Sequence, residues 1–139
     1  MKKKVDDLTL EELRIEVARH IYEYPHIKFA PPDSEGRTYL WGWTDDDKRP
    51  KTLPNYPRDF SAAWEAAKKV LEKVSKARTI EIIIRDYPSD ANRPQILFAR
   101  LSWQQSNFLW TDLEGLGTTE SECLCRVALK VACGEEIEV

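Results

Sequence analysis

Leu53-Pro54-Asn55-Tyr56-Pro57-Arg58-Asp59-Phe60-Ser61-Ala62-Ala63-Trp64-Glu65 reads as a rigid turn running directly into a helix. Pro54 and Pro57 fix two φ angles and push Leu53 and Tyr56 toward extended geometry. Asp59 or Ser61 can then accept a hydrogen bond from the free N–H groups of a first helical turn. Phe60, Ala63, Trp64, Ala67, Leu71 and Val74 follow at helical spacing, one apolar stripe from a single start.

Downstream of this helix the period changes to two. In Thr79 to Tyr87, Ile80, Ile82 and Ile84 alternate with Glu81, Ile83, Arg85 and Tyr87. In Gln95 to Trp103, Leu97, Ala99, Leu101 and Trp103 alternate with Ile96, Phe98 and Arg100. Asn107 to Thr111 sets Phe108 and Trp110 against Leu109. The short connections, Pro88 to Pro94 and Gln104 to Ser106, predict an antiparallel meander. Apolar residues on both faces predict helices on both. Leu113 to Thr118, with Gly115 and Gly117, reads as a turn. Thr119-x-x-Glu122 then opens a last helix as a capping box, and Gly134 closes it. Leu124, Val127, Ala128 and Val131 are its expected core face.

Upstream, Thr9-x-x-Glu12 is a second capping box, with Leu8 placed to staple onto Leu13. Leu10, Leu13, Val17, Ile21 and Tyr24 make the buried stripe of a first helix that Pro25 ends. Glu11, Glu12, Arg14, Glu16 and Arg19 are assigned to its wet face. Residues 25–58 form an arm whose prolines (Pro25, Pro31, Pro32, Pro50, Pro54 and Pro57) exclude regular helix. Arg37 to Trp43 can form one short strand within it, and Asp45 to Arg49 a solvated turn. The aromatic content of the arm argues against disorder.

The Leu53 to Glu65 stretch resembles the LPNYP-D-L-x-A-x-x-E signature of the phage ABA-sandwich proteins, small αβα domains encoded by phages and prophages. Asp59, Ala63 and Glu65 fit the signature, and Phe60 stands where Leu is more usual. Thr119 to Ala132 resembles the closing A-x-x-x-A-A-L-K-A helix of that family, with Cys123, Ala128, Leu129 and Lys130 in comparable places. The first helix resembles the family's L-x-x-E-x-A-x-x-x-x-W opening only loosely, and the Arg37 to Lys51 arm lies outside the resemblance. What the resemblance implies is an αβα sandwich and a phage setting, without an assigned biochemistry. Together with the periodicities it predicts one α+β domain over 1–139, in the order α-(arm)-α-β-β-β-α. Residues 1–24 are its first helix and 25–58 its arm. Residues 59–139 are a sandwich core whose antiparallel three- to four-stranded sheet is flanked by helices on both faces.

Composition narrows the functions. The chain has 139 residues, 42% of them hydrophobic, which suffices for a core. A net charge of −3 argues against a general nucleic-acid binder. No apolar run reaches the roughly 20 residues that span a bilayer. Lys2-Lys3-Lys4 leads into Asp6 and Asp7, so no signal peptide is expected. Three cysteines clustered near the C-terminus make a poor disulfide framework and suit a reducing compartment, the cytoplasm of a bacterial host.

No catalytic constellation, metal set or cofactor fingerprint emerges. Cys123 and Cys125 point about 200° apart on a helix and cannot share an ion, so they read as small hydrophobes. His20 and His26 lack ligand spacing, no nucleophile elbow is present, and the glycines form no phosphate loop. What stands out is aromatic and arginine content. Arg37, Tyr39, Trp41, Trp43, Tyr56 and Arg58 lie in or beside the arm, and Arg85, Arg100, Trp103 and Trp110 lie on the strands. Trp, Tyr and Arg dominate binding hot spots, and they also suit a nucleotide, the ring stacking on a base and the guanidinium on phosphate. Trp41 and Trp43 share a strand face, so they are buried together or presented together. These residues predict a non-catalytic binding protein, holding a small anionic ligand such as a nucleotide signal of host defence between arm and sheet. The alternative is inhibition of a host protein by the arm and its acidic turn. A small hydrolase built on His26 ranks last. A homo-oligomer is expected, the aromatic arm offering a surface to a second copy.

Overall fold

The computed structural model describes residues 1–74, 77–86 and 95–139; for 85, 86, 95 and 96 it describes the backbone alone. In chain order the elements are β1 (Lys2–Lys4), α1 (Leu10–His20), β2 (His26–Phe29), β3 (Leu40–Trp43), β4 (Lys51–Leu53), α2 (Phe60–Val74), β5 (Arg78–Asp86), β6 (Gln95–Ser106), β7 (Leu109–Gly117), α3 (Glu120–Cys133) and β8 (Glu136–Glu138). A 3-10 turn over Val5–Asp7 links β1 to α1. The fold is mixed α+β, its strands paired antiparallel in three sheets: β1-β8, β2-β3-β4 and β5-β6-β7.

The turn-to-helix stretch forms as its residues dictate. The N–H groups of Arg58 and Asp59 both donate to the Asn55 carbonyl, closing the turn. The Asp59 carboxylate accepts from the Ala62 N–H and caps α2. Tyr56 and Pro57 are buried and anchor the turn. In α1 the Thr9–Glu12 capping box is complete in both directions. The helix ends at His20, before Pro25, and Glu23 takes a left-handed φ of 58° on the way out.

The β5-β6-β7 meander is longer than its periodicity suggested. β6 runs on to Ser106, with a register irregularity between Gln104 and Ser106, and β7 runs to Gly117. Leu113 to Gly117 is therefore strand rather than turn. The two glycines have a packing reason. A Cβ on Gly115 would stand 2.5 Å from the Val127 nitrogen and 2.6 Å from the Cys123 carbonyl oxygen, so α3 lies directly on the β7 backbone there.

This close approach makes α3 the centre of the molecule. All ten residues from Ser121 to Lys130 are buried, where a single apolar face was expected. The sheet presses on one side of α3, α2 packs beside it, and α1 and the 3-10 turn close the rest. Its buried polar groups are satisfied. Arg126 donates to the Val5 carbonyl (2.9 Å) and to Glu122 (2.7 Å); Lys130 donates to Asp6 (2.6 Å) and to the Glu114 carbonyl (2.7 Å). Cys123 and Cys125 are fully buried among these contacts. Two residues assigned to the wet face of α1, Arg14 and Glu16, are buried as well.

Among the described residues, helices pack on one face of the β5-β6-β7 sheet. The row Ile80, Leu101, Leu113 and the row Ile82, Ala99, Gly115 share the face that meets the core. On the other face Thr79, Glu81, Asp112 and Glu114 are exposed among the described residues, and Arg100 pairs with Glu114 at 2.8 Å. The apolar signal that suggested a second covered face comes from one cross-strand row, Ile83, Phe98 and Leu116. A single such row at one end of a charged face does not require a helix. On the core side α3 lies between the sheet and α1, which packs on α3 and β2.

A cleft between the arm and the first helix

The arm is an antiparallel sheet in its own right. Leu40 and Gly42 of β3 face inward. A Cβ on Gly42 would stand 2.7 Å from Leu53 Cδ1 and 3.1 Å from the Tyr24 ring, so a larger residue there would have to displace those side chains. Alternation then turns Trp41 and Trp43 outward together. Trp41 is 37% exposed. Trp43 stacks on His26, its register partner, at 5.5 Å between centroids, and His26 Nε2 lies 2.6 Å from Asp45 Oδ1.

The hairpin from β2 to β3 is shaped by Asp33. Its carboxylate accepts from the N–H groups of Glu35 and Arg37, from Arg37 Nε and from the Tyr39 hydroxyl. These bonds, led by the Arg37 N–H, hold the Asp33 carboxyl below the usual aspartate range. Gly36, at φ +77°, supplies the left-handed residue of the turn. Arg37 is tied on both sides, to Asp33 at 3.0 Å and Glu35 at 2.9 Å.

Between this hairpin, α1 and the Leu53–Arg58 turn lies a cleft of about 580 Å³. Arg37, Tyr39 and Arg58 line it, as do Arg14 and Phe29. Arg14 is the residue that sequence reasoning missed, because its helical position assigned it to solvent. Its Nη2 donates to the Leu53 carbonyl (3.1 Å) and its Nε to that of Pro54 (3.3 Å). Its guanidinium carbon sits 6.0 Å from the Phe29 centroid. Burial pushes its pKa below the ordinary arginine value, yet arginine remains a cation. Both hydrogen-bond partners are neutral carbonyls, and among the described residues no carboxylate pairs with it. Arg58 likewise has no ion-pair partner among the described residues. Three guanidinium groups and one carboxylate, that of Glu11, thus face the cleft, and only Arg37 is neutralised.

The other predicted site residues lie elsewhere. Tyr56 is buried and stacks on Tyr22 at 5.2 Å, beside a second, mainly apolar depression lined by Tyr24, Pro54 and Ala62. Trp103 is 9% exposed and belongs to the core, because its odd position in β6 places it on the Leu101 face. Arg100 is on the opposite face of that sheet, and Trp110 is exposed near the β6–β7 turn. The Arg85 side chain lies outside the described residues. No described residue of the β5-β6-β7 sheet lines the cleft; the described residues that line it belong to arm and α1 rather than arm and sheet. The His26–Asp45 pair lines neither depression. Among the described residues no group of His, Cys, Asp and Glu is arranged to hold a metal, and no helix is long and apolar enough to cross a membrane.

No protein-family model matches the chain, and no curated protein does. Its fold is similar to the crystal structure of a phage protein from Bacillus cereus ATCC 14579. The TM-score is 0.51 and the identity 14%, over 89% of this chain and 87% of that one. The likeness is one of fold.

Proposed function

We propose that the protein is a non-catalytic binder of a small anionic ligand, held in the cleft between the β2–β3 hairpin and α1. The observation that carries this reading is Arg14, a buried guanidinium whose hydrogen-bond partners among the described residues are neutral carbonyls and whose charge no described carboxylate compensates. A buried charge without a counter-charge is costly, and an anion in the cleft relieves that cost. Arg58 supplies a second guanidinium from the rim. The rings of Phe29 and Tyr39 offer a flat ligand group a stacking surface. A phosphate attached to an aromatic base suits this combination, so a nucleotide is the favoured ligand class.

The sequence signature and the fold of the Bacillus cereus neighbour support placing the protein among phage or prophage accessory proteins. In that setting, binding without turnover serves sequestration, and a nucleotide signal of host defence is the ligand class in view. A thermal-shift and calorimetric panel of mono-, di- and cyclic nucleotides tests the reading. A ligand at a hundred times its Kd adds about 2.7 kcal/mol to stability. Saturable binding that Arg58→Ala weakens is the expected result; no response from any panel member overturns it.

A second reading rests on the outward face of β3. Trp41 and Trp43 are presented side by side near Asp45, Asp46 and Asp47, a surface suited to a host protein. Recovery of one host protein by the wild type, and its loss with Trp41→Ala, favours that reading.

A further inference from the structure

The two edges of the β5-β6-β7 sheet are finished differently. On β7, the Leu116 N–H donates to Asp6 (3.4 Å) and the Glu114 carbonyl accepts from Lys130 (2.7 Å). Residues 114 and 116 point the same way along the strand, so these two bonds cap the outer edge of β7. On β5 no strand pairs with the outer edge among the described residues. β5 has nine residues with no proline, lysine or bulge to protect the edge; its charged residues are Arg78, Glu81, Arg85 and Asp86, and the stretch Ile82-Ile83-Ile84 carries none.

The core also stops short of β5. Ile80, Ile82 and Ile84 stand opposite Leu101, Ala99 and Leu97 and share their core-facing side. Leu101 and Ala99 are fully buried, whereas Ile80 and Ile82 are half-buried and Ile84 is 58% exposed. The cause is the placement of the helices: α3 packs on β6 and β7, and α2 reaches β6, which leaves the β5 side of the face open.

We propose that the β5 edge is where a second copy of this chain docks, β5 against β5 antiparallel about a two-fold axis, joining two sheets into one of six strands. The β5 sequence is self-complementary for this. A two-fold at Ile82 sets Arg78 opposite Asp86 at each end, Ile80 opposite Ile84, and the two Ile82 residues together. Any even register keeps core-facing residues with core-facing residues, and this one pairs opposite charges at both ends as well. The open isoleucine strip of each copy then meets that of its partner. This surface is separate from the cleft and from the aromatic arm.

Sedimentation equilibrium of the full chain over a range of concentrations tests the proposal. Wild type is expected at twice the protomer mass. Ile84→Lys changes an already exposed position, so its circular dichroism stays native while its mass falls to that of the protomer. Arg78→Asp weakens the dimer by about tenfold through two symmetric like-charge pairs, and adding Asp86→Arg restores it. A wild-type protomer at all concentrations overturns the proposal. So does a dimer that neither Ile84→Lys nor Arg78→Asp weakens.

Discussion

Gly115 and Val127 are in backbone contact: a Cβ on the glycine would lie 2.5 Å from the valine nitrogen. The strand and the helix touch there without a side chain between them. Because the obstructing atoms are main chain, no rotamer change relieves a larger residue. Gly115→Ala is expected to cost about 3 kcal/mol or more, the upper end of overpacking penalties, in urea unfolding. Gly36→Ala is the control. Nothing lies within 4 Å of that position, so it bears only the left-handed backbone cost of about 1–2 kcal/mol.

Arg14 and Arg58 separate binding from folding. Arg58→Ala changes an exposed side chain and is expected to leave stability within about 0.5 kcal/mol while weakening nucleotide binding. Arg14→Ala leaves the Leu53 and Pro54 carbonyls without their donor and should cost about 1–3 kcal/mol in addition to affinity. Arg14→Lys keeps the charge but not the fork, so it restores less than full affinity. Calorimetry and denaturant melts on the three variants check this.

Stability should fall in acid through Glu122. Burial alone would push its carboxyl up, but bonds from Arg126 and from the Thr118 hydroxyl and N–H outweigh it and hold it below the usual glutamate range. A carboxyl depressed in the folded state contributes stability that is complete above its unfolded value of about 4.3. That contribution disappears as pH falls through the folded value. Glu122→Gln is therefore expected to flatten the loss of unfolding free energy between about pH 5 and 2. Melts at stepped pH on wild type and variant measure the difference.

The thiols should be nearly inert in the native protein. Burial pushes Cys123 up to about 12 and Cys125 higher still, so neither forms appreciable thiolate at pH 8. Cys133 is raised too, by burial and then by Glu16, but it is half-buried rather than enclosed. A thiol reagent followed by mass spectrometry is expected to label Cys133 first. Cys123 and Cys125 should react only as the chain unfolds.

Local chemistry made much of this fold legible. The Thr9–Glu12 capping box, the Pro54–Asp59 turn and the β5–β6 alternation are short-range signals, and each formed where its residues stand. At α3 only half of the second box formed, Thr119 capping the Glu122 N–H while the Glu122 carboxylate accepts from Thr118 instead. What was not legible depends on partners distant in the chain. Lys2–Lys4 carries no strand signal; it is a strand because Glu136–Glu138 lies opposite, lysine facing glutamate at both ends of the register. The burial of α3 on every side could not be read from its stripe, because the glycines that admit it belong to β7. Arg14 was assigned to water for the same reason: the carbonyls that hold it come 39 and 40 residues later. The cleft was half legible, since Arg37, Tyr39 and Arg58 were chosen by composition, whereas Trp103 and Tyr56 share that composition and are core.

The placement of α3 has a consequence for how the chain can be made. The helix at the centre of the molecule follows every long strand in the order of synthesis. A nascent chain that has emerged only through Gly117 holds the strands and the glycines shaped for α3 without the helix that covers them. With elongation at about 5–20 residues per second, the apolar side of that sheet waits about a second or more for its cover. The ribosome, or a chaperone bound near its exit, is then the first surface the Leu101 face meets, and α3 must displace it.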